Sequence, residues 1–162
     1  MKVIFVTVGT QLPFDRLLSS IDRWAGNNSD TEVIIQACSS DVEFENIKVT
    51  QFFSPQEYKE IVARCDVIIG HAGMGTIITA HEHNTPLVIM SRLYKLGEHR
   101  NDHQLSTAKK FREVKGVYVV DDEASLFEVM GSIDTLNHCS SDPTPARTKL
   151  IAYIKNDFLG MA

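Results

Sequence analysis

The chain has 162 residues and a formal net charge of −5, enough for one domain with a real core and too few for two. The acidic balance argues against broad nucleic-acid binding, and no apolar run approaches the roughly 18 residues that span a bilayer. The N-terminus has no signal-peptide h-region, and Cys38, Cys65 and Cys139 are odd in number and spaced unlike a disulfide framework or zinc site, which fits a reducing cytosol.

In chain order, residues 3–8 form a continuous apolar run with β-branched residues, as in a strand buried on both faces. Pro13 suits the first turn of a helix reaching Ala25, with Gly26-Asn27-Asn28 ending it. Residues 33–35 give a second strand and 47–52 a third. Ser54-Pro55 opens a helix to Arg64, with Ser54 as N-cap. Residues 66–69, 87–90 and 117–120 are further short strands, with helices at 75–84, 99–113 and 123–133. Residues 1–139 read as the domain and 140–145 as a linker. Residues 146–162 read as an amphipathic C-terminal helix, whose stripe of Leu150, Ile151, Ile154 and Phe158 packs on the domain or on a partner. Alternating strands and helices predict an α/β domain, Rossmann-like, with a mostly parallel sheet that binds ligands beyond its carboxyl ends.

The most informative segment is Gly70-His71-Ala72-Gly73-Met74-Gly75-Thr76, between a strand and a helix. Such a turn presents backbone N–H groups and a helix dipole to an anion, and Gly73 and Gly75 let the backbone approach it closely. It also serves as a tight strand-to-helix connection. Gly9-Thr10-Gln11 is a second turn of this kind, or an ordinary one. Two phosphate-cradling turns in one domain suggest a diphosphate-bearing ligand. The dinucleotide fingerprint is absent: the third glycine position is Ile78, and no acidic residue follows the next strand.

The segment 97–104 is dense in polar groups. Asn101 and Gln104, three apart, would share a helical face and could pair with sugar hydroxyls. Arg92, Lys95, His99 and Arg100 make the region locally basic, which suits an anion. His99 and His103 have metal-pair spacing and His81-Glu82-His83 adds candidates, but no HExxH or cysteine ligand accompanies them, and we expect no metal and no cofactor. No nucleophile elbow is present.

Three co-linear motifs carry a resemblance over residues 1–130. They are Val6-Thr7-Val8-Gly9-Thr10 with Pro13-Phe14-Asp15-Arg16-Leu17, then His71-Ala72-Gly73-Met74-Gly75-Thr76, then Asn101-Asp102-His103-Gln104 with Ala108. Together they resemble the C-terminal domain of family 28 glycosyltransferases, and within it the small donor-binding catalytic subunits of two-component enzymes. These include the eukaryotic lipid-linked N-acetylglucosamine transferase subunit and bacterial capsule and exopolysaccharide relatives; the segment 97–104 is most similar to the bacterial branch.

The resemblance implies the C-terminal half of a GT-B enzyme, holding a UDP-sugar donor. Gly9 and Thr10 would lie near the pyrophosphate, Gly73, Gly75 and Thr76 at the phosphates, and Asn101 and Gln104 toward the sugar, with Gln11, His71, Met74, Thr79 and His103 also binding the donor. Many members carry a Glu for the ribose where this chain has Thr79, whose hydroxyl lacks charge-assisted bidentate geometry. The implied reaction is inverting transfer to a lipid-linked acceptor in polysaccharide synthesis. The acceptor would be held by a separate membrane-anchored subunit, with this chain cytoplasmic and peripheral through that partner. The catalytic base is unassigned: His71 is a candidate, with a loop-ordering role as its alternative, and the partner is the expected source. Competing readings are a non-catalytic nucleotide-sugar-binding or regulatory subunit and a UDP-sugar epimerase.

Overall fold

The computed structural model describes residues 1–139; the expected linker and C-terminal helix lie outside them. Six strands are β1 (Lys2–Thr7), β2 (Thr31–Gln36), β3 (Val49–Thr50), β4 (Val67–His71), β5 (Leu87–Met90) and β6 (Val117–Val120). Five α-helices follow all of them but β2, which runs on to β3: α1 (Asp15–Ala25), α2 (Pro55–Arg64), α3 (Met74–Glu82), α4 (His103–Phe111) and α5 (Glu123–Gly131). All pairings are parallel, in the order β3-β2-β1-β4-β5-β6. The order reverses between β1 and β4, which leaves a crevice at their carboxyl ends.

The middles of the central strands are apolar because each face of the sheet is covered. Ile4, Val6, Val67, Ile69, Val88 and Met90 pack on one side with Leu17, Leu18 and Ile21 of α1 and Leu126 and Met130 of α5. Phe5, Ile68, Leu87 and Ile89 pack on the other with Val62 of α2, Ile77 and Ala80 of α3, and Ala108 and Phe111 of α4. Each such aliphatic or aromatic side chain, fully buried, contributes about 1.5–3 kcal/mol of hydrophobic free energy.

Ser54 caps α2 as expected, in a reciprocal capping box: Glu57 N–H donates to its Oγ and its own N–H donates to the Glu57 carboxylate. Three boundaries differ from the sequence reading. Helix α1 starts at Asp15, because the Pro13 carbonyl is held by Arg92 and stays in the loop. The expected strand at 47–52 shrinks to Val49–Thr50 at the sheet edge, where short strands guard against edge-to-edge pairing. The expected helix at 99–113 begins at His103: His99 Nδ1 lies 3.1 Å from Asn101 O, and Asn101 Oδ1 accepts from His103 N–H. This local hydrogen bonding by Asn and His replaces helical turns there.

Candidate functional site

A cleft of about 670 Å³ opens at the carboxyl ends of β1 and β4. Its walls are the loop from Thr7 to Leu12, the turn from His71 to Thr76, and residues from α2, α3 and α4. No Asp or Glu is among its lining residues, so nothing in its wall repels an anion.

The glycines of the two turns play different parts. A Cβ at Gly73 would stand 2.1 Å from His71 Nε2, and one at Gly9 would stand 2.8 Å from His71 Cε1. The imidazole is therefore wedged between the two turns and sets their separation. Gly9 also has a φ of 79°, which favours glycine. Gly75 is unlike them: a Cβ there would meet no protein atom within 4 Å. Packing does not require glycine at 75; a ligand approaching the backbone would.

Helix α3 begins at the floor of the cleft. Gly73 is its N-cap, with no side-chain hydrogen bond and no acidic residue in the first turn. Helix α4, whose His103 and Gln104 also line the cleft, has no side-chain cap either. By contrast α2 and α5, which begin elsewhere, carry capping boxes from Ser54 and Asp122. The first N–H groups of α3 thus remain donors toward the cleft, at the positive end of the helix dipole.

Arg92 holds this frame from behind. It is 2% exposed, and its guanidinium donates to the carbonyls of Val8 (2.8 Å), Leu12 (2.7 Å), Pro13 and Glu98 (3.4 Å). It also lies over the Phe14 ring at 4.8 Å. Burial pushes its pKa down to about 10, which leaves it charged at neutral pH. Arg16 adds a second clasp, a fork onto Glu98 at 2.7 and 3.0 Å plus a hydrogen bond to Ser91 O. Glu98 in turn accepts from Leu93 N–H.

His71 is held neutral. Burial is the main cause, with Arg92 and more weakly His99 acting the same way against an opposing Thr7 carbonyl, and its pKa falls to about 4. Its Nδ1 is buried without a good hydrogen-bond partner. The unfolded chain takes up a proton below pH 6.5 while the folded ring stays neutral down to about 4. Stability from the neutral ring is therefore complete above pH 6.5 and is lost as pH falls toward 4, by on the order of 3 kcal/mol. Histidine NMR titration should show one imidazole titrating near pH 4, and acid unfolding of His71→Ala should be flatter across that window.

The family model described as glycosyltransferase family 28 C-terminal domain matches residues 3–158. The chain belongs to that family. As a family 28 domain it is a glycosyltransferase, and its single α/β sheet is the C-terminal, Rossmann-like half of a GT-B fold. The NMR solution structure of ALG13 superposes with a TM-score of 0.63 at 20% identity, covering 94% of each chain. The glycotransferase of kitacinnamycin gives 0.62 at 17% identity, covering 99% of this chain and 39% of that one. CalG4, the calicheamicin glycosyltransferase, gives 0.59 at 15%, covering 99% and 40%. The family 28 domain thus spans nearly all of ALG13 but about two fifths of the larger enzymes. No curated protein sequence matches it.

Of the residues that the sequence singles out, Gly9, Thr10, Gln11, His71, Gly73, Met74, Gly75, Thr76, Thr79, His103 and Gln104 all line the cleft of the family 28 domain. Asn101 does not: it is exposed, precedes α4, and shares no helical face with Gln104. Gln104 Oε1 accepts from Arg92 N–H at 3.0 Å, so half of its amide is engaged in the frame. Of the basic loop only Arg92 and His99 reach the lining. Among the described residues no three His, Cys, Asp or Glu side chains gather to hold a metal.

Sequence reasoning passes over Gln36 and Tyr58. Gln36 ends β2, is buried, and donates to Gly9 O at 3.2 Å. A lone polar residue closing the run Val33-Ile34-Ile35 was its signal. Tyr58 lines the cleft from α2, near Thr79, and burial raises its phenol pKa. Nothing in the spacing of α2 marks it.

Proposed function

We propose that this cleft binds a UDP-sugar and that the chain is the donor-binding catalytic subunit of an inverting, two-component glycosyltransferase. The observation that carries the reading is the wall itself: two glycine turns at the sheet crossover, an uncapped helix N-terminus and no carboxylate. That combination suits a diphosphate. The diphosphate would sit between Gly9–Gln11 and Gly73–Thr76, with Gln104 and His103 toward the sugar. Thr79, which lines the cleft with Tyr58, would meet the ribose in place of the carboxylate many relatives use.

In the reaction an acceptor hydroxyl attacks the anomeric carbon, its proton passes to a base, and the bond to the diphosphate oxygen breaks. Charge growing on that leaving group is met by the N–H groups at the start of α3. A ring with a pKa near 4 is a poor base at neutral pH, and no carboxylate lines the cleft. A partner would supply the base and the acceptor.

Among the described residues no helix is long and apolar enough to cross a membrane. A membrane-anchored, acceptor-binding subunit therefore fits, with a lipid-linked acceptor in surface-polysaccharide assembly and this chain peripheral at the cytoplasmic face. The test is sugar transfer to a lipid-linked acceptor by the purified chain, with and without membranes carrying the candidate partner. Transfer is expected only with the partner; robust transfer by the chain alone would overturn the two-subunit reading. Donor binding with no transfer in the reconstituted pair would make it a binding subunit instead.

Gly75→Val isolates the donor contact. The fold should survive, since a Cβ at 75 meets no protein atom, while UDP affinity measured by calorimetry should fall about tenfold or more, roughly 1.4 kcal/mol. Unchanged affinity in the folded variant would remove the diphosphate from this turn.

A further inference from the structure

Beside the cleft, residues 94–97 stand out from the surface. Tyr94 is 60% and Leu96 54% exposed, with Lys95 and Gly97 exposed between and after them. They form a built turn: a single 3-10 turn, Tyr94–Leu96, closed by Gly97 at φ 71° and by N–H bonds from Leu96 and Glu98 to Leu93 O. Leu105 of α4 is 40% exposed, and a second hollow of about 400 Å³, lined by Leu93, Tyr94, Lys95 and Leu105, lies beside the turn. Ser91, Asp102 and Asp121 complete it.

The charges around this patch are unevenly satisfied. Glu98 is forked by Arg16, Asp102 accepts from Tyr94 N–H at 3.1 Å, and Asp121 pairs with Arg112 at 3.1 Å. Lys95, Arg100 and Lys109 are exposed and enter none of the ion pairs among the described residues. Lys109 lies four residues along α4 from Leu105, on the same face. An aromatic and two leucines carried on the same two segments as these three cations match a bilayer interface: tyrosine suits the headgroup level, leucine the acyl boundary and cations the lipid phosphates. The chain's net charge of −5 makes this local excess a property of one face.

We propose that the Tyr94–Leu96 turn, with Leu105 and the cations Lys95, Arg100 and Lys109, docks the domain directly on an anionic lipid surface. His103 and Gln104, which line the cleft, immediately precede Leu105 on α4, so docking brings the cleft mouth to the membrane, where a lipid-linked acceptor would present its head. That last consequence rests on the proposed function; the lipid contact does not.

The experiment is co-sedimentation of the full chain, without donor, on phosphatidylcholine vesicles and on phosphatidylcholine–phosphatidylglycerol vesicles. Binding is expected on the anionic vesicles, weakening as salt rises. Leu96→Glu and the pair Lys95→Glu/Arg100→Glu should each weaken it about tenfold or more, while UDP calorimetry of the same variants stays at the wild-type value. Equal binding to both vesicle types, or wild-type binding by Leu96→Glu, would overturn the proposal. So would a Leu96→Glu defect seen only in binding an acceptor subunit in detergent, which would make the patch a protein interface. Tyr94→Ser gives the same reading should Leu96→Glu fold poorly. Loss of UDP binding across all forms, wild type included, would strike the donor reading and leave the lipid result standing.

Discussion

Gly73→Ala is expected to cost stability and donor binding together, although it adds one methyl group to an ordinary backbone conformation. Gly73 has φ −97° and ψ 138°, so alanine meets no backbone strain. The difficulty is the His71 ring, 2.1 Å from the new Cβ at Nε2. The ring has no retreat toward Gly9, where its Cε1 already fills the place of a Cβ. It must leave its slot, and overpacking of this kind costs about 1–3 kcal/mol. The two turns then lose their spacer, and UDP affinity should fall by about tenfold or more. The double variant His71→Ala/Gly73→Ala should regain much of the stability, because the obstacle is gone, without regaining the affinity. Urea unfolding and calorimetry on the three proteins decide this. A Gly73→Ala protein with wild-type stability and affinity would show that the wedge does not set the cleft.

Arg92→Met should be the most destabilising single change in the cleft frame. The variant keeps most of the volume but strands the carbonyls of Val8, Leu12 and Pro13, which the guanidinium holds. Breaking a buried charged network from one side costs about 3–5 kcal/mol. Arg92→Lys should recover only part, since an ammonium has three donors on a point charge and lacks the planar fork. Thermal and urea unfolding measure both; a cost below about 1 kcal/mol for Met would mean that the loop from Gly9 to Pro13 holds its shape unaided.

The parts of this molecule that the sequence shows are those fixed by local chemistry. The apolar run through β1, the Ser54 cap and the glycines at 73 and 75 each declare a backbone state within a few residues of themselves. What stays hidden depends on contacts distant in the chain. Arg92 looks like a surface cation of a basic loop, and only the fold shows it turned inward onto carbonyls some eighty positions earlier. His71 looks like a candidate base; only its burial beside Arg92 shows it held neutral. Asn101 looks helical from its spacing to Gln104, until its side chain is seen ending the turn that precedes α4. Gly75 is a further case: its spacing suggests a phosphate site, and a Cβ there would meet no protein atom, so packing gives no reason for a glycine at that position.

We infer that a nucleoside diphosphate lies across the two glycine turns. Backbone amide NMR of the chain titrated with UDP tests it most directly. Saturable shifts are expected to concentrate at Gly9, Thr10 and Gln11 and at Gly73 through Thr76, with the His71 ring responding and the Tyr94–Leu96 turn silent. Saturable shifts confined to any other face of the sheet, or none at a UDP concentration that saturates related donor sites, would contradict it.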